Sequence, residues 1–174
     1  MKSFLLYKNS PYVKWSFIPD GIFYEGKLPG EDYALAVCPS ENIVILDVDE
    51  KNGKSGHSHI PTYSKFKKFI FKLFGIQKTD ILSELKDTYN YKTRSGGSHY
   101  WVRYTGNKIL LNRATRFGLD LRVGKNIETG NNGGYVKYPS TNKDIRECVH
   151  LIKESSVELN NFLENLFSND REIT

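Results

Sequence analysis

Two aspartates, Asp47 and Asp49, stand two residues apart at the end of the apolar run "NIVILDV". On an extended strand alternate side chains leave the same face, so this spacing puts both carboxylates on one side of a sheet. Carboxylates held side by side repel. Unless a cation or a basic side chain lies between them, one tends to keep its proton, which is why hard divalent ions such as Mg²⁺ occupy such pairs. The same spacing also reads as a turn-capping Asp47 followed by a solvent-facing Asp49. A third carboxylate, Asp120 in "GLDLR", lies between Leu119 and Leu121 and points away from these apolar neighbours. Alone, it reads as a strand carboxylate paired with Arg122. If its strand neighbours that of Asp47, three carboxylates converge. Metal ions held by such a set bridge the phosphates of a nucleotide, acidify an attacking hydroxyl and stabilise the departing pyrophosphate. The chemistry would be nucleotidyl transfer.

The stretch "TRSGGSHYW" from Thr93 to Trp101 offers groups for the other end of such a substrate. Gly96 and Gly97 let the backbone turn through positive φ and leave amides uncovered. With Ser95 and Ser98 beside them, and Arg94 and His99 flanking, they make a cradle for a triphosphate: bare amides, a permanent cation and an imidazole. His99 would donate to phosphate oxygens rather than act as a general base. The plainer alternative is a hairpin tip between two strands, Tyr89 to Arg94 and Ser98 to Tyr104, rich in Tyr, Thr, Trp and Val.

In order along the chain, "NIVILDVDEKNGKSG", "DTYNYKTRSGGSHYWVRY", "GLDLRVG" and "NNGGYVKYPS" resemble the successive motifs of the primase-polymerase domain of the archaeo-eukaryotic primase superfamily, over roughly residues 35 to 140. The resemblance implies an RRM-like primase catalytic core, with residues 1–174 a single domain. It implies Asp47, Asp49 and Asp120 as ligands of Mg²⁺ or Mn²⁺, and His99 as the contact to the incoming nucleotide. Arg122, Lys125 and Lys137 would lie around the phosphates, and Gly133, Gly134 and Pro139 would shape the site. The implied activity is that of a DNA primase or DNA polymerase in phage or plasmid replication. Its partners would be a single-stranded DNA template, dNTP or NTP, and a replicative helicase, with the chain acting as a catalytic core. Two features depart from the pattern: the stretch between Val123 and Gly133 is longer than usual, and Tyr138 stands where a small residue or proline is common.

Two other classes compete. A rolling-circle nicking initiator holds a metal with a His-x-His pair, and "GHSHI" supplies His57 and His59; such a pair belongs on a buried strand, whereas Ser58 falls in a glycine-lysine loop. A non-catalytic nucleic-acid-binding module with the same fold is the third reading.

The elements that must position these residues follow from patterning. At 174 residues, with 39% apolar and 26% charged residues, the chain suits one α+β domain with a mixed or antiparallel central sheet flanked by helices. No run approaches a membrane span, no secretory signal opens the chain, and Cys38 and Cys148 form no CxxC pattern, which together place it in the cytoplasm with no membrane partner. "NIVILDV" has the near-continuous apolar character of a central strand, and "YALAVC" that of a strand at a sheet edge in an otherwise loop-rich segment up to Glu41. Phe66, Phe69, Ile70, Leu73 and Phe74 repeat at helical spacing between Pro61 and Gly75. A second helix is expected over Thr79 to Leu85, capped by Thr79, and one or two more over about 144–167. "KILLNRA" and "GLDLRVG" read as strands. The net charge of +5 is unevenly spread: from Lys51 to Lys78 there are seven lysines and no acidic residue. That block is either a positive field for a phosphate backbone or a solvated helix face.

Overall fold

The computed structural model describes residues 1–19, 21–40, 42–76, 80–93, 95–124, 133–138 and 151–168. Strand β1 is Lys2–Tyr7, with Phe4 and Leu6 buried at alternate positions. A short β2, Ser10–Pro11, folds back on it through Lys8 and Asn9, whose φ values of 47° and 66° are those a two-residue hairpin turn demands. Strand β3, Tyr33–Cys38, pairs with the whole of β1, from Lys2 opposite Cys38 to Tyr7 opposite Tyr33. Next come β4 (Ile43–Val48), helix α1 (Lys65–Leu73), helix α2 (Ile81–Asp87), β5 (Asn90–Lys92) and β6 (Ser98–Arg103). The order continues with β7 (Arg113–Ala114), β8 (Leu119–Val123), β9 (Val136–Tyr138), β10 (Lys153–Glu154) and helix α3 (Val157–Phe167).

The strands form two sheets rather than one. The first has the order β2-β1-β3-β9; the second runs β10-β6-β4-β8-β7, with β5 also on β6. Every pairing among the described residues is antiparallel except β10 alongside β6. This is a small single-domain α+β protein.

Both faces of β4 are covered, as its continuous apolar run requires. Val44, Leu46 and Val48 point to a core shared with Leu119, Leu121 and Val123 of β8, Ile81 and Leu85 of α2, and Leu159, Leu163 and Phe167 of α3. Ile43 and Ile45 point the other way and pack with Tyr91, Trp101, Val37 and Val136, which joins the two sheets. Helices therefore cover only one face of the second sheet, and the first sheet covers the other.

Several sequence expectations are corrected here. "YALAVC" is an interior strand between β1 and β9, because it buries Ala34, Ala36 and Cys38 on one side and Val37 on the other. The segment before it contains a full strand, β1, not only loops. "KILLNRA" contributes just the two-residue β7, while Leu110 makes an isolated bridge to Ser168. Part of the expected C-terminal helix is strand β10, which pairs with Val102 and Arg103 along an edge of β6. Residues 144–150 of that expectation lie outside the described residues, as does Thr79; the cap of α2 is Asp80, whose carboxylate accepts from the Ser83 backbone at 2.8 Å. None of the helices among the described residues is long and apolar enough to cross a membrane.

Candidate active site

The register of the second sheet decides what the aspartates meet. Asp47 is the Cα partner of His99 on β6 and of Asp120 on β8, and His99 is in turn the partner of Tyr91 on β5. Residues paired across strands share a face. Tyr91, His99, Asp47 and Asp120 therefore form one row across four strands, on the face that looks towards the first sheet.

The two glycines set that register. The segment does form a hairpin, with the Thr93 amide donating to the Gly97 carbonyl and the Gly96 amide to the Thr93 carbonyl, each at 3.0 Å. Gly96 turns at φ 88°, and a Cβ on Gly97 would fall 2.1 Å from the Val48 carbonyl oxygen. One glycine is needed for its conformation and the other for space, so that β6 can close on β4 with His99 beside Asp47.

Within the row, the Tyr91 hydroxyl lies 2.8 Å from His99 Nδ1, and His99 Nε2 lies 3.1 Å from Asp47 Oδ1. An ionised carboxylate only accepts, so Nε2 carries the proton towards Asp47. In the neutral ring Nδ1 then accepts from Tyr91, whose phenol is kept protonated by burial, which pushes its pKa far up. The two aspartates are driven apart. Burial pushes Asp47 up, but the His99 hydrogen bond and the charges of His99, Arg122 and Lys51 outweigh it and hold the carboxyl below its usual range. Burial also pushes Asp120 up, the charge of Asp47 adds to the push, and the Thr115 amide at 3.1 Å with the charges of Arg122 and Lys54 does not reverse it. Neighbouring carboxylates displaced in opposite directions are the pattern of a site that differentiates their roles.

Asp49 follows the last residue of β4; its amide donates to the Gly118 carbonyl at 2.8 Å, and its carboxylate meets Lys54 at 3.1 Å and Lys51 at 3.8 Å. The hydrogen bond to Asp49 raises the pKa of Lys54, and the charges of Asp49, Asp120 and Asp47 raise it further. The Lys54 ammonium thus stands in the combined field of all three carboxylates. A hard divalent cation suits such an all-oxygen set in charge and donor type. As the side chains stand, Asp49 is turned to Lys54 and Asp120 to Arg122 at 3.3 Å. No three acidic, histidine or cysteine side chains among the described residues are grouped around one point.

The row opens on a cleft of about 930 Å³ between the two sheets. Asp47, Asp49, His99 and Tyr91 line one wall, and Tyr33, Val136 and Tyr138 the other; Lys51, Lys92, Arg122 and Lys137 add positive charge. The sequence-predicted residues divide accordingly. Asp47, Asp49, His99, Ser95, Arg122 and Lys137 reach the cleft, and Asp120 lies buried beside it. Ser98 does not: it is buried opposite Val48 on the helix-covered face. Gly133 turns at φ 80°, and the Gly134 amide donates to the Val123 carbonyl at 2.8 Å, which leads β9 off the end of β8. Arg94, Lys125 and Pro139 lie outside the described residues. Sequence reading missed Tyr91, Lys92 and Tyr138. The hairpin is centred on Ser95 rather than on the glycine pair, so counting back from the glycines would not have placed Tyr91 opposite His99. Tyr138 comes from the other sheet, and its contacts with Tyr89 (hydroxyls 2.9 Å apart) and Tyr91 (rings 5.7 Å apart) left no local signal.

His57 and His59 sit in a 3-10 turn, Gly56–His59, rather than on a strand, and serve different partners. His57 bridges Glu50 at 2.7 Å and the Tyr100 hydroxyl at 3.0 Å, whereas the His59 ring packs on Phe117. Compared with models of protein families and with curated proteins, the chain matches none.

Proposed function

We propose that the protein is a metal-dependent nucleotidyltransferase of the primase-polymerase kind, joining dNTP or NTP to a strand on a single-stranded DNA template. The observation that carries this reading is the row Tyr91, His99, Asp47 and Asp120, of which the first three line a cleft and the fourth is buried beside it, with Lys51, Lys92, Arg122 and Lys137 at the cleft's margins. Asp47, Asp49 and Asp120 would hold Mg²⁺ or Mn²⁺, which when bound acidifies the attacking hydroxyl and neutralises pyrophosphate. Around it the chain's own groups orient the substrate. The lysines and Arg122 offer charge-assisted donors to the phosphates. His99 would share its Nε2–H, already held towards Asp47, with a phosphate oxygen, while Tyr91 supports Nδ1 from behind, and Tyr33 and Tyr138 would provide aromatic surface for the rest of the nucleotide. The hydroxyl oxygen attacks the α-phosphorus, a phosphodiester bond forms, and the bond to pyrophosphate breaks.

The test is incubation with single-stranded DNA, labelled nucleotides and Mg²⁺ or Mn²⁺, with and without a primer. Wild-type protein should yield extended or newly synthesised strands, and Asp47→Asn and Asp49→Asn should yield none at any nucleotide concentration. His99→Ala should lose mainly nucleotide affinity, so that excess nucleotide restores part of the rate. Full synthesis by Asp47→Asn would remove the reading.

A further inference from the structure

Helix α1 is turned the wrong way for a helix that completes a core. Its Lys68 pairs with Asp80, the buried cap of α2. With about 3.6 residues per turn, Phe66, Phe69, Ile70 and Leu73 then share the side roughly opposite that anchor. Accordingly Phe66 is 74% exposed, Phe69 60%, Leu73 66% and Phe74 71%, and no residue of the helix is buried. Lys65 and Lys72 border this apolar stripe on one side. Lys67 borders it on the other, with its ammonium 4.9 Å from the Tyr63 ring centroid. No acidic residue occurs between Lys51, in the wall of the cleft, and Ile76 beyond the helix.

A stripe of phenylalanines between lysines, on a helix that carries no acidic residue and whose ion pair, Lys68–Asp80, lies on the opposite side, calls for a ligand that is polyanionic and has flat apolar faces. A second copy of the chain would bring two sets of lysines together, and an uncharged peptide would leave them without partners. Single-stranded nucleic acid supplies both properties, since phosphates pair with lysines and unstacked bases lie on aromatic rings. Phe66 and Phe69 are separated by about 4.5 Å along the helix axis, more than the roughly 3.4 Å base step of a stacked strand, so a strand lying along α1 is drawn out and its bases are free to stack on the rings. The acid-free stretch beginning at Lys51 ties this surface to the cleft. We propose that α1 is a stacking platform for single-stranded DNA, with bases on Phe66, Phe69 and Phe74 and phosphates on Lys65, Lys67 and Lys72. That the bound strand is the template of the cleft rests on the nucleotidyl-transfer reading; binding itself does not.

The experiment measures binding of a labelled oligothymidylate to the full chain by anisotropy over a series of salt concentrations. Phe66→Ala/Phe69→Ala should bind at least about fivefold more weakly for each ring removed, at every salt concentration and with an unchanged salt slope. Lys65→Gln/Lys72→Gln should reduce the slope by about 1.4, roughly 0.7 for each phosphate contact. Neither pair touches the core, so the melting temperature should not move. The platform is overturned if wild-type protein does not bind the oligonucleotide or if both variants bind as wild type. It is equally overturned if the phenylalanine variant loses only attachment to phosphatidylserine vesicles or only self-association by sedimentation. Binding through α1 without nucleotide incorporation by wild type would remove the nucleotidyl-transfer reading alone, whereas incorporation with undiminished binding by both α1 variants would remove the platform alone.

Discussion

In the row Tyr91, His99, Asp47 and Asp120, adjacent carboxylates feel opposite forces, and each has a measurable consequence. Burial raises the Asp120 carboxyl above its ordinary value near 3.8, and the charge of Asp47 adds to that. Its ionised form is therefore disfavoured in the fold relative to the unfolded chain, and stability is lost as pH rises through the unfolded and then the folded pKa. Asp120→Asn should raise the melting temperature at neutral pH, with the gain vanishing below about pH 4; a lower melting temperature at neutral pH would show that Arg122 and Thr115 more than offset the burial. Tyr91 acts on the row through His99. Tyr91→Phe leaves Nδ1 without its 2.8 Å partner, and an unpaired buried acceptor costs about 1–3 kcal/mol. Imidazole ¹⁵N shifts should show His99 Nδ1 losing its hydrogen bond while Nε2 keeps its proton towards Asp47, and Tyr138→Phe, which does not touch the ring nitrogens, should leave both unchanged. The carboxylates were legible in the sequence because period-two alternation alone assigns their face, and His99 because it stands beside the glycine tip. Tyr91 was not singled out, because its meaning depends on hairpin register, which the glycines fix by close approach to Val48.

At the scale of elements, β4, β8 and the β5–β6 hairpin were legible because each carries a local pattern: a continuous apolar run, alternation, or a glycine tip. Strand β1 was hidden by the prolines that follow it, and by Lys2, a charged residue that is nonetheless buried, with its ammonium 2.6 Å from the Ile18 carbonyl. Helix α1 was legible as a helix but not in its orientation, because periodicity gives a helix its apolar side without saying what lies against it. That orientation is set by the Lys68–Asp80 pair. Burial pushes the Asp80 carboxyl up, yet hydrogen bonds from Lys68 and Ser83 and the Lys68 charge hold it below its usual value. Its contribution is therefore present above about pH 4 and lost as pH falls through the lower folded pKa. Asp80→Asn keeps a capping side chain but loses the charge, so it should melt below wild type at neutral pH and converge with it as acid is added. Asp80→Ala should lose the cap as well, about 1 kcal/mol more. Parallel melting curves across the whole pH range would show that the ion pair contributes nothing. In the hairpin, Gly97→Ala should be far more damaging than Gly96→Ala. The first forces a methyl to 2.1 Å from the Val48 oxygen and pushes β6 off β4; the second meets no atom and costs only the left-handed strain of about 1–2 kcal/mol.

For the whole molecule, the decisive feature is that the candidate site lies between two sheets, which no local pattern announces. Tyr33, Lys137 and Tyr138 reach the cleft from β3 and β9, and their relation to Asp47 exists only because Val37 and Val136 pack on Ile43, Ile45 and Trp101. Ile45 is central to that contact, fully buried and on the same face of β4 as Asp47, whereas Leu46, equally buried, faces the helices. If the two layers share one cooperative core, emptying either side destabilises both. Ile45→Ala and Leu46→Ala should then each cost about 2–5 kcal/mol. In each variant the near-ultraviolet signal, dominated between the sheets by Trp101, Tyr91 and Tyr138, should melt together with the far-ultraviolet signal of the helices. A first sheet that docks only loosely predicts something different. Ile45→Ala would then lose the aromatic signal at a temperature where the helices persist, and Leu46→Ala would melt as a single transition. That outcome would mean the cleft forms by closure of one sheet on the other, and the cleft-lining Tyr33 and Tyr138 would meet the aspartates in only part of the folded population.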